Sequence, residues 1–180
     1  RIAFECRPDI EVHWAARGPK MLELGGELAD WNLLHGIPRF DLPQVVETVL
    51  KGAKKANRPL KLQYSAMIVY DETSRGLARA RTAYRMLDST DEVRSRLGIT
   101  EERMAEIRRL VTTSGPSSAA HLISDDILRN YAIEGTPGEC ADELRRMIAD
   151  YQLSGITFEV NHFDHAEAIL RFAAQILEKL

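Results

Sequence analysis

The sequence predicts an α/β fold built on a parallel sheet, and three observations lead there. Strand-like and helix-like segments alternate in the order β-α-β-α-β-α-(insertion)-α-β-α, the pattern of right-handed crossovers between parallel strands. Turn residues punctuate the junctions, with Gly18-Pro19 after the first strand and Gly36-Ile37-Pro38 after the second. The chain has 180 residues, 44% hydrophobic and 28% charged, which suits one globular domain spanning residues 1–180. Two architectures satisfy this order: an open doubly wound sheet, and part of a (β/α) barrel. A complete eight-stranded barrel takes about 250 residues, so four strands would make half of one.

The elements follow in turn. "IEVHWAA" reads as the first strand, between Pro8 and Gly18-Pro19. "PKMLELGGELA" is a helix with Pro19 at its first position and Met21, Leu24, Gly25 and Leu28 on one face. Gly25-Gly26 inside it costs roughly 1 kcal/mol per glycine relative to alanine, which close approach of the helix backbone to the sheet would offset. "DWNLLHG" is a short buried strand, and "LPQVVETVLKGAKKA" a helix with Val45, Val46, Val49, Leu50 and Ala53 inward. "LKLQYSAMIVY" is the clearest strand, being long and rich in β-branched and aromatic residues. Asp71 caps the next helix, "ETSRGLARARTAYRML", with a stripe of Leu77, Ala80, Tyr84 and Leu87.

Residues 89–134 break the rhythm and read as a helical insertion without a strand, including a helix that starts at Thr100. The pattern restarts at "GTPGECADELRRMIADY", where Thr136, Pro137 and Glu139 spell a capping box and Cys140, Leu144, Met147 and Tyr151 form a stripe. "GITFEVNHF" is the last strand and "DHAEAILRFAAQILEKL" a closing amphipathic helix.

Composition narrows the function. A formal charge of -3 and a pI near 6.0 leave no basic footprint for nucleic acid. No apolar run approaches the roughly 20 residues of a membrane span, and no signal peptide is visible. Cys6 and Cys140 fit neither a disulfide framework nor a zinc site, so a reducing cytoplasm is the expected setting. The chain opens at Arg1 and enters a strand almost at once, as though starting partway through a larger protein.

In either architecture the working end is the carboxyl end of the strands. It holds Ala16, Arg17 and Gly18 after the first strand, Leu34, His35 and Gly36 after the second, Tyr70 and Asp71 after the third, and Asn161 and His162 after the fourth. The first group is chemically the most suggestive. Gly18 leaves backbone N–H groups open, the helix beginning at Pro19 turns its positive end to them, and Arg17 or Lys20 adds charge, so the turn suits an anion such as phosphate. The alternative is an ordinary strand-to-helix turn. His162, Asp164 and His165 suggest metal ligands, but Asp164 suits a helix cap, and no metal is expected. His121 reads as a surface or packing residue, Glu101, Glu102 and Glu106 as a solvated face. Glu159 lies within a strand, where a charge needs a partner.

"IEVHWAARGPKMLELGGELADWNLL" resembles the central segment of the luciferase-like monooxygenase superfamily, especially its coenzyme F420-dependent branch of methylenetetrahydromethanopterin reductase-like proteins. Ala15, Ala16, Gly18, Pro19, Lys20, Leu24, Gly26, Ala29 and Asp30 carry the likeness. "EGTPGECADELRRMIADYQLSGITFEV" resembles the family's C-terminal segment through Gly135, Thr136, Pro137, Glu139 and Gly155. The chain departs from it with Trp31 in place of a usual Gly, and with "HGIPRF", which lacks the hydroxyl and basic residues often found at the phosphate.

The resemblance implies a TIM (β/α)8 barrel of which this chain covers about the last four β/α units, with most catalytic and ring-binding residues in the other half. It also implies an F420-dependent oxidoreductase (alternatively an FMN-dependent monooxygenase) that passes a hydride to or from a small organic substrate. The cofactor phosphate would be held by Ala16, Arg17, Gly18, Pro19, His35 and Gly36, and Asn161 and His162 would touch substrate. A homo-oligomer is expected. From another class comes a non-catalytic half-barrel that needs self-association or a missing partner, since its open strand edges demand pairing.

Overall fold

The computed structural model describes residues 9–159 and 166–180. Five parallel strands form its sheet: β1 (His13–Ala15), β2 (Trp31–Leu34), β3 (Lys61–Val69), β4 (Ala132–Glu134) and β5 (Gly155–Phe158). β1 pairs with β2, and β2 with β3 from Trp31 opposite Lys61 to Leu34 opposite Tyr64. The long β3 serves two further partners. Its first half, Gln63–Ala66, pairs with β5, and its last three residues pair with β4.

Eight helices accompany the strands among the described residues. α1 (Pro19–Leu28), α2 (Leu42–Ala56), α7 (Pro137–Tyr151) and α8 (Ala166–Leu177) cover one face of the sheet. Leu34, Leu62, Tyr64 and Ala66 face them, and with Leu22, Val46, Val49, Leu144 and Ile176 they form the main core. Alternation sends Trp31, Lys61, Gln63 and Ser65 to the other face, which is polar and partly exposed. There Trp31 stacks on His13, and the Lys61 ammonium sits 4.8 Å from the Trp31 ring centroid.

α3 (Glu72–Met86), α4 (Asp91–Arg96), α5 (Glu101–Ser114) and α6 (Asp125–Leu128), with the 3-10 segment Pro116–Leu122, build a second core on Met67, Val69 and Ala132. Both junctions around it carry capping boxes. Asp71 and Ser74 exchange bonds at the start of α3, and Thr136 and Glu139 do so at the start of α7. No helix among the described residues is long and apolar enough to cross a membrane.

Three expectations are corrected. β4 lies inside the stretch expected to lack strands; its three residues are too few for alternation to register. α3 belongs to the helical cap and not to the helix layer, so it buries Ala78, Ala83 and Met86 against the cap, while Tyr84 is 55% exposed. α1 buries Leu22, Gly25 and Gly26 and leaves Met21 and Leu28 exposed.

The glycines explain that rotation. A Cβ on Gly25 would lie 2.5 Å from Trp14 and 2.7 Å from Asn32, so this glycine does sit against the sheet. A Cβ on Gly26 would lie 2.0 Å from the Val49 carbonyl, and one on Gly52 2.0 Å from the Glu23 carbonyl. Gly26 and Gly52 thus let α1 and α2 touch backbone to backbone, and the second glycine answers to a neighbouring helix. Gly26→Ala is expected to cost about 3 kcal/mol, the upper range for overpacking. Gly76→Ala, on the exposed side of α3 with nothing within 4 Å, is expected to add about 0.5–1 kcal/mol. Urea unfolding of the two variants measures both.

Candidate functional site

The strand ends meet the helical cap in two adjoining places. The first is a cleft of about 280 Å³ between the β1–α1 turn, the segment after β2, the start of α2 and the cap. Arg17, Pro19 and Gly36 line it, with Asp88 and Tyr131 on the cap side. α1 begins at Pro19 with no side chain capping its amides and no acidic residue in its first turn. Gly18 is extended, and a Cβ there would meet nothing within 4 Å, so the space above the turn is open. Backbone N–H groups, a helix N-terminus and a guanidinium make a donor set that fits a phosphate-like anion.

Asp88 holds that guanidinium. Its carboxylate takes both terminal nitrogens of Arg17, one at 3.1 Å, and both side chains are about half exposed. Across the cleft Asp41 pairs with Arg96 at 2.9 Å, and partial burial raises the Asp41 carboxyl. Burial pushes the Tyr131 phenol up to about 12, against a hydrogen bond with Ser89 that pulls it down.

The second place is centred on Glu159, just past β5. Its side chain is 7% exposed, and Arg85 of α3, at 8%, donates to its Oε1 over 2.6 Å. Ser65 of β3 donates to the same oxygen at 3.3 Å, and His35 Nδ1 lies 3.4 Å from it. Arg81 Nε stands 3.6 Å from Oε2, an oxygen that accepts no hydrogen bond. Four side chains from three parts of the chain thus converge on one carboxylate, the partner its position demanded.

His35 is clamped at both nitrogens, because Arg85 Nη2 reaches Nε2 at 3.4 Å. A proton on Nδ1 alone suits both contacts: it faces the Glu159 carboxylate 3.4 Å away, and Nε2 accepts from Arg85. Burial lowers the His35 pKa first of all; Glu159 works against that, while Arg85, Arg81 and Arg17 add to it. The lowered pKa favours the uncharged ring at neutral pH.

Of the residues singled out from sequence, Arg17, Pro19 and Gly36 come together in the cleft. Ala16, Gly18 and His35 are not in its lining: Ala16 leans on the main core, Gly18 has no side chain to offer, and His35 is turned to Glu159. Asn161 and His162, with Asp164 and His165, lie outside the described residues. His121 is exposed, and Glu106 pairs with Arg109 on a solvated face. Sequence reasoning missed Arg81, Arg85 and Asp88, whose signal was a run of charges at helical spacing on a helix expected to be amphipathic the other way round.

A profile of luciferase-like monooxygenases matches residues 2–156. The chain is 27% identical over 155 residues to a 5,10-methylenetetrahydromethanopterin reductase of Methanolobus tindarius, covering 82% of this chain and 47% of that protein. The solved coenzyme F420-dependent tetrahydromethanopterin reductase of Methanopyrus kandleri superposes with a TM-score of 0.79 at 21% identity, over 94% of this chain and 51% of that one. An F420-dependent secondary alcohol dehydrogenase, solved with an F420–acetone adduct, gives 0.62 at 14% identity, over 94% and 50%. The sheet and its helices are therefore those of the TIM-barrel fold in these proteins. The chain spans about half the length of the relatives it matches.

Two predictions follow from the charge cluster. Arg85→Met leaves a buried carboxylate without its cation and should cost about 3–5 kcal/mol in urea unfolding; adding Glu159→Gln should recover most of that loss. The His35 ring protons should titrate below the ordinary 6.5, and lower still in Glu159→Gln, because Glu159 raises this pKa. Since the unfolded chain binds this proton more readily, the His35 contribution leaves stability undiminished above pH 6.5. It lowers stability as the pH falls below that value, until the folded midpoint is passed.

Proposed function

The chain belongs to the luciferase-like monooxygenase family, and we propose that it forms the phosphate-binding side of an F420-dependent oxidoreductase acting on a small organic substrate. One observation carries the reading: Arg17, Pro19 and Gly36 line a single cleft at the uncapped N-terminus of α1. The F420-dependent relatives support the choice of cofactor. In this reading residues 1–180 supply the last four β/α units of the barrel, and the partly exposed polar face of the sheet completes its interior with the other half. The bound cofactor supplies the hydride chemistry in its ring.

The residues of this chain bind and orient. The Gly18–Lys20 turn and Arg17 hold the phosphate, with Asp88 giving up Arg17 to it. Gly36 keeps the chain after β2 close to the cap, where a Cβ would stand 3.4 Å from the Arg85 guanidinium. His35, being neutral and committed to Glu159 and Arg85, orients the mouth and adds no charge to the phosphate. Asn161 and His162 are proposed to face substrate. An FMN-dependent monooxygenase uses the same kind of phosphate contact and differs in the ring held elsewhere. A non-catalytic half-barrel that pairs with a second copy or a partner is the remaining reading.

Titration of the purified chain with F420 and with FMN decides among them. F420 is expected to bind, inorganic phosphate to compete, and Arg17→Gln to weaken binding about tenfold or more, the worth of one charge-assisted hydrogen bond. Asp88→Asn is expected to tighten binding several-fold by freeing Arg17. Tighter binding of FMN favours the monooxygenase reading. Binding of neither, with a stable dimer, overturns the cofactor reading in favour of the half-barrel.

A further inference from the structure

α3 lies across the strand ends, and one of its faces looks onto them. Arg81, Tyr84 and Arg85 fall within roughly a 100° arc of the helix, and Asp88 follows one turn on. That face is fixed in place by the 2.6 Å Arg85–Glu159 pair, which is buried at both ends. Its charges do not balance. Asp88 satisfies Arg17, and Glu159 satisfies Arg85. Arg81 is left with the far oxygen of Glu159 at 3.6 Å, through Nε, so its two terminal amino groups have no partner among the described residues. Its side chain is 47% exposed. With His35 neutral, Arg81, Arg85 and Glu159 together carry one excess positive charge.

Three residues on from Arg81 along α3, and so its neighbour on the helix surface, is Tyr84, a large side chain left exposed and in no core cluster. A free bidentate edge, a single excess charge and an adjacent aromatic ring describe one kind of ligand. We infer that Arg81 and Tyr84 form a subsite for a planar organic carboxylate, the carboxylate held on the Arg81 edge and the flat body against the Tyr84 ring. A monoanion neutralises the cluster, whereas a phosphate dianion overshoots it. The inference deepens the proposed function, on which it rests for calling this ligand the substrate; the subsite itself stands on the geometry of α3.

The test is titration by NMR, following the Arg81 Nε–H and Tyr84 ring signals, with benzoate, cyclohexanecarboxylate and inorganic phosphate as probes. Benzoate should shift both signals saturably and bind more tightly than the non-planar carboxylate. Arg81→Gln should weaken it about tenfold or more. Tyr84→Leu should erase the preference for the planar acid, and Arg17→Gln should leave benzoate binding as it was. Circular dichroism of Arg81→Gln confirms an unchanged fold, as expected for an exposed side chain. Undiminished benzoate binding in Arg81→Gln, loss of it in Arg17→Gln, or a stronger response to phosphate at the Arg81 signal overturns the subsite. F420 titration of Arg81→Gln separates the two readings. Retained F420 binding with benzoate lost supports the subsite, and F420 binding with no benzoate response in the wild-type chain defeats the subsite alone.

Discussion

The buried pair between Arg85 and Glu159 is the constraint on which the mouth of this structure depends. Two charges removed from water are costly, and attraction offsets that only with close geometry and further hydrogen bonds. Here the geometry is close and Ser65 adds a bond to the same oxygen. The pair joins α3 to the end of β5, while Arg85 also reaches His35 after β2. A helix that has left the layer around the sheet is thereby held at a set height over the strand ends. The cleft beside Arg17 exists because the cap stands there, since Asp88, Ser89, Thr90 and Tyr131 form its far wall.

On the other side of the sheet the constraint is steric. α1 and α2 approach so closely that carbonyl oxygens occupy the space of two missing Cβ atoms, at Gly26 and Gly52. Surface ion pairs, Lys51–Glu23 and Lys55–Glu27, then cross the same seam, each a small contribution beside the packing. This contact sets where α1 begins relative to β1, and so where its uncapped amides point. The anion-binding turn is thus placed by helix packing some two turns away from it.

Much of this was legible in the sequence where local signals act alone. The Asp71 cap, the capping box at Thr136 and Glu139, the bounds of α2 and the strand β3 follow from residue type and spacing, because a cap or an apolar run needs no distant partner. The turn at Arg17-Gly18-Pro19 was legible for the same reason. α3 was misjudged because its burial is decided by what it packs against. Its small residues Ala78 and Ala83 meet the cap, and Arg81 and Arg85 meet the strand ends. Sequence periodicity shows that a stripe exists but not which stripe faces which neighbour. The need of Glu159 for a partner was evident; that the partner is Arg85, separated by 74 residues, was not.

The mouth also shows how one carboxylate arranges several cations. Glu159 spends one oxygen on Arg85 and Ser65 and leaves the other without a hydrogen bond, within 3.6 Å of Arg81. Were Oε2 to accept a full hydrogen bond from Arg81, that side chain would be drawn down and its outer edge turned from solvent. Were Glu159 absent, the Arg81 and Arg85 guanidinium groups would repel across the strand ends. The observed arrangement lies between these: it neutralises one arginine and steadies a second, while burial and the arginines hold the His35 pKa down against the pull of Glu159. The remaining cation, Arg17, is matched from the cap by Asp88, which unlike Glu159 is half exposed and so costs little to displace. Strong burial on one side and a weak surface pair on the other make the charge at Glu159 structural and the charge at Arg17 exchangeable. That asymmetry is what a site needs if an incoming anion is to replace Asp88 without loosening the cap.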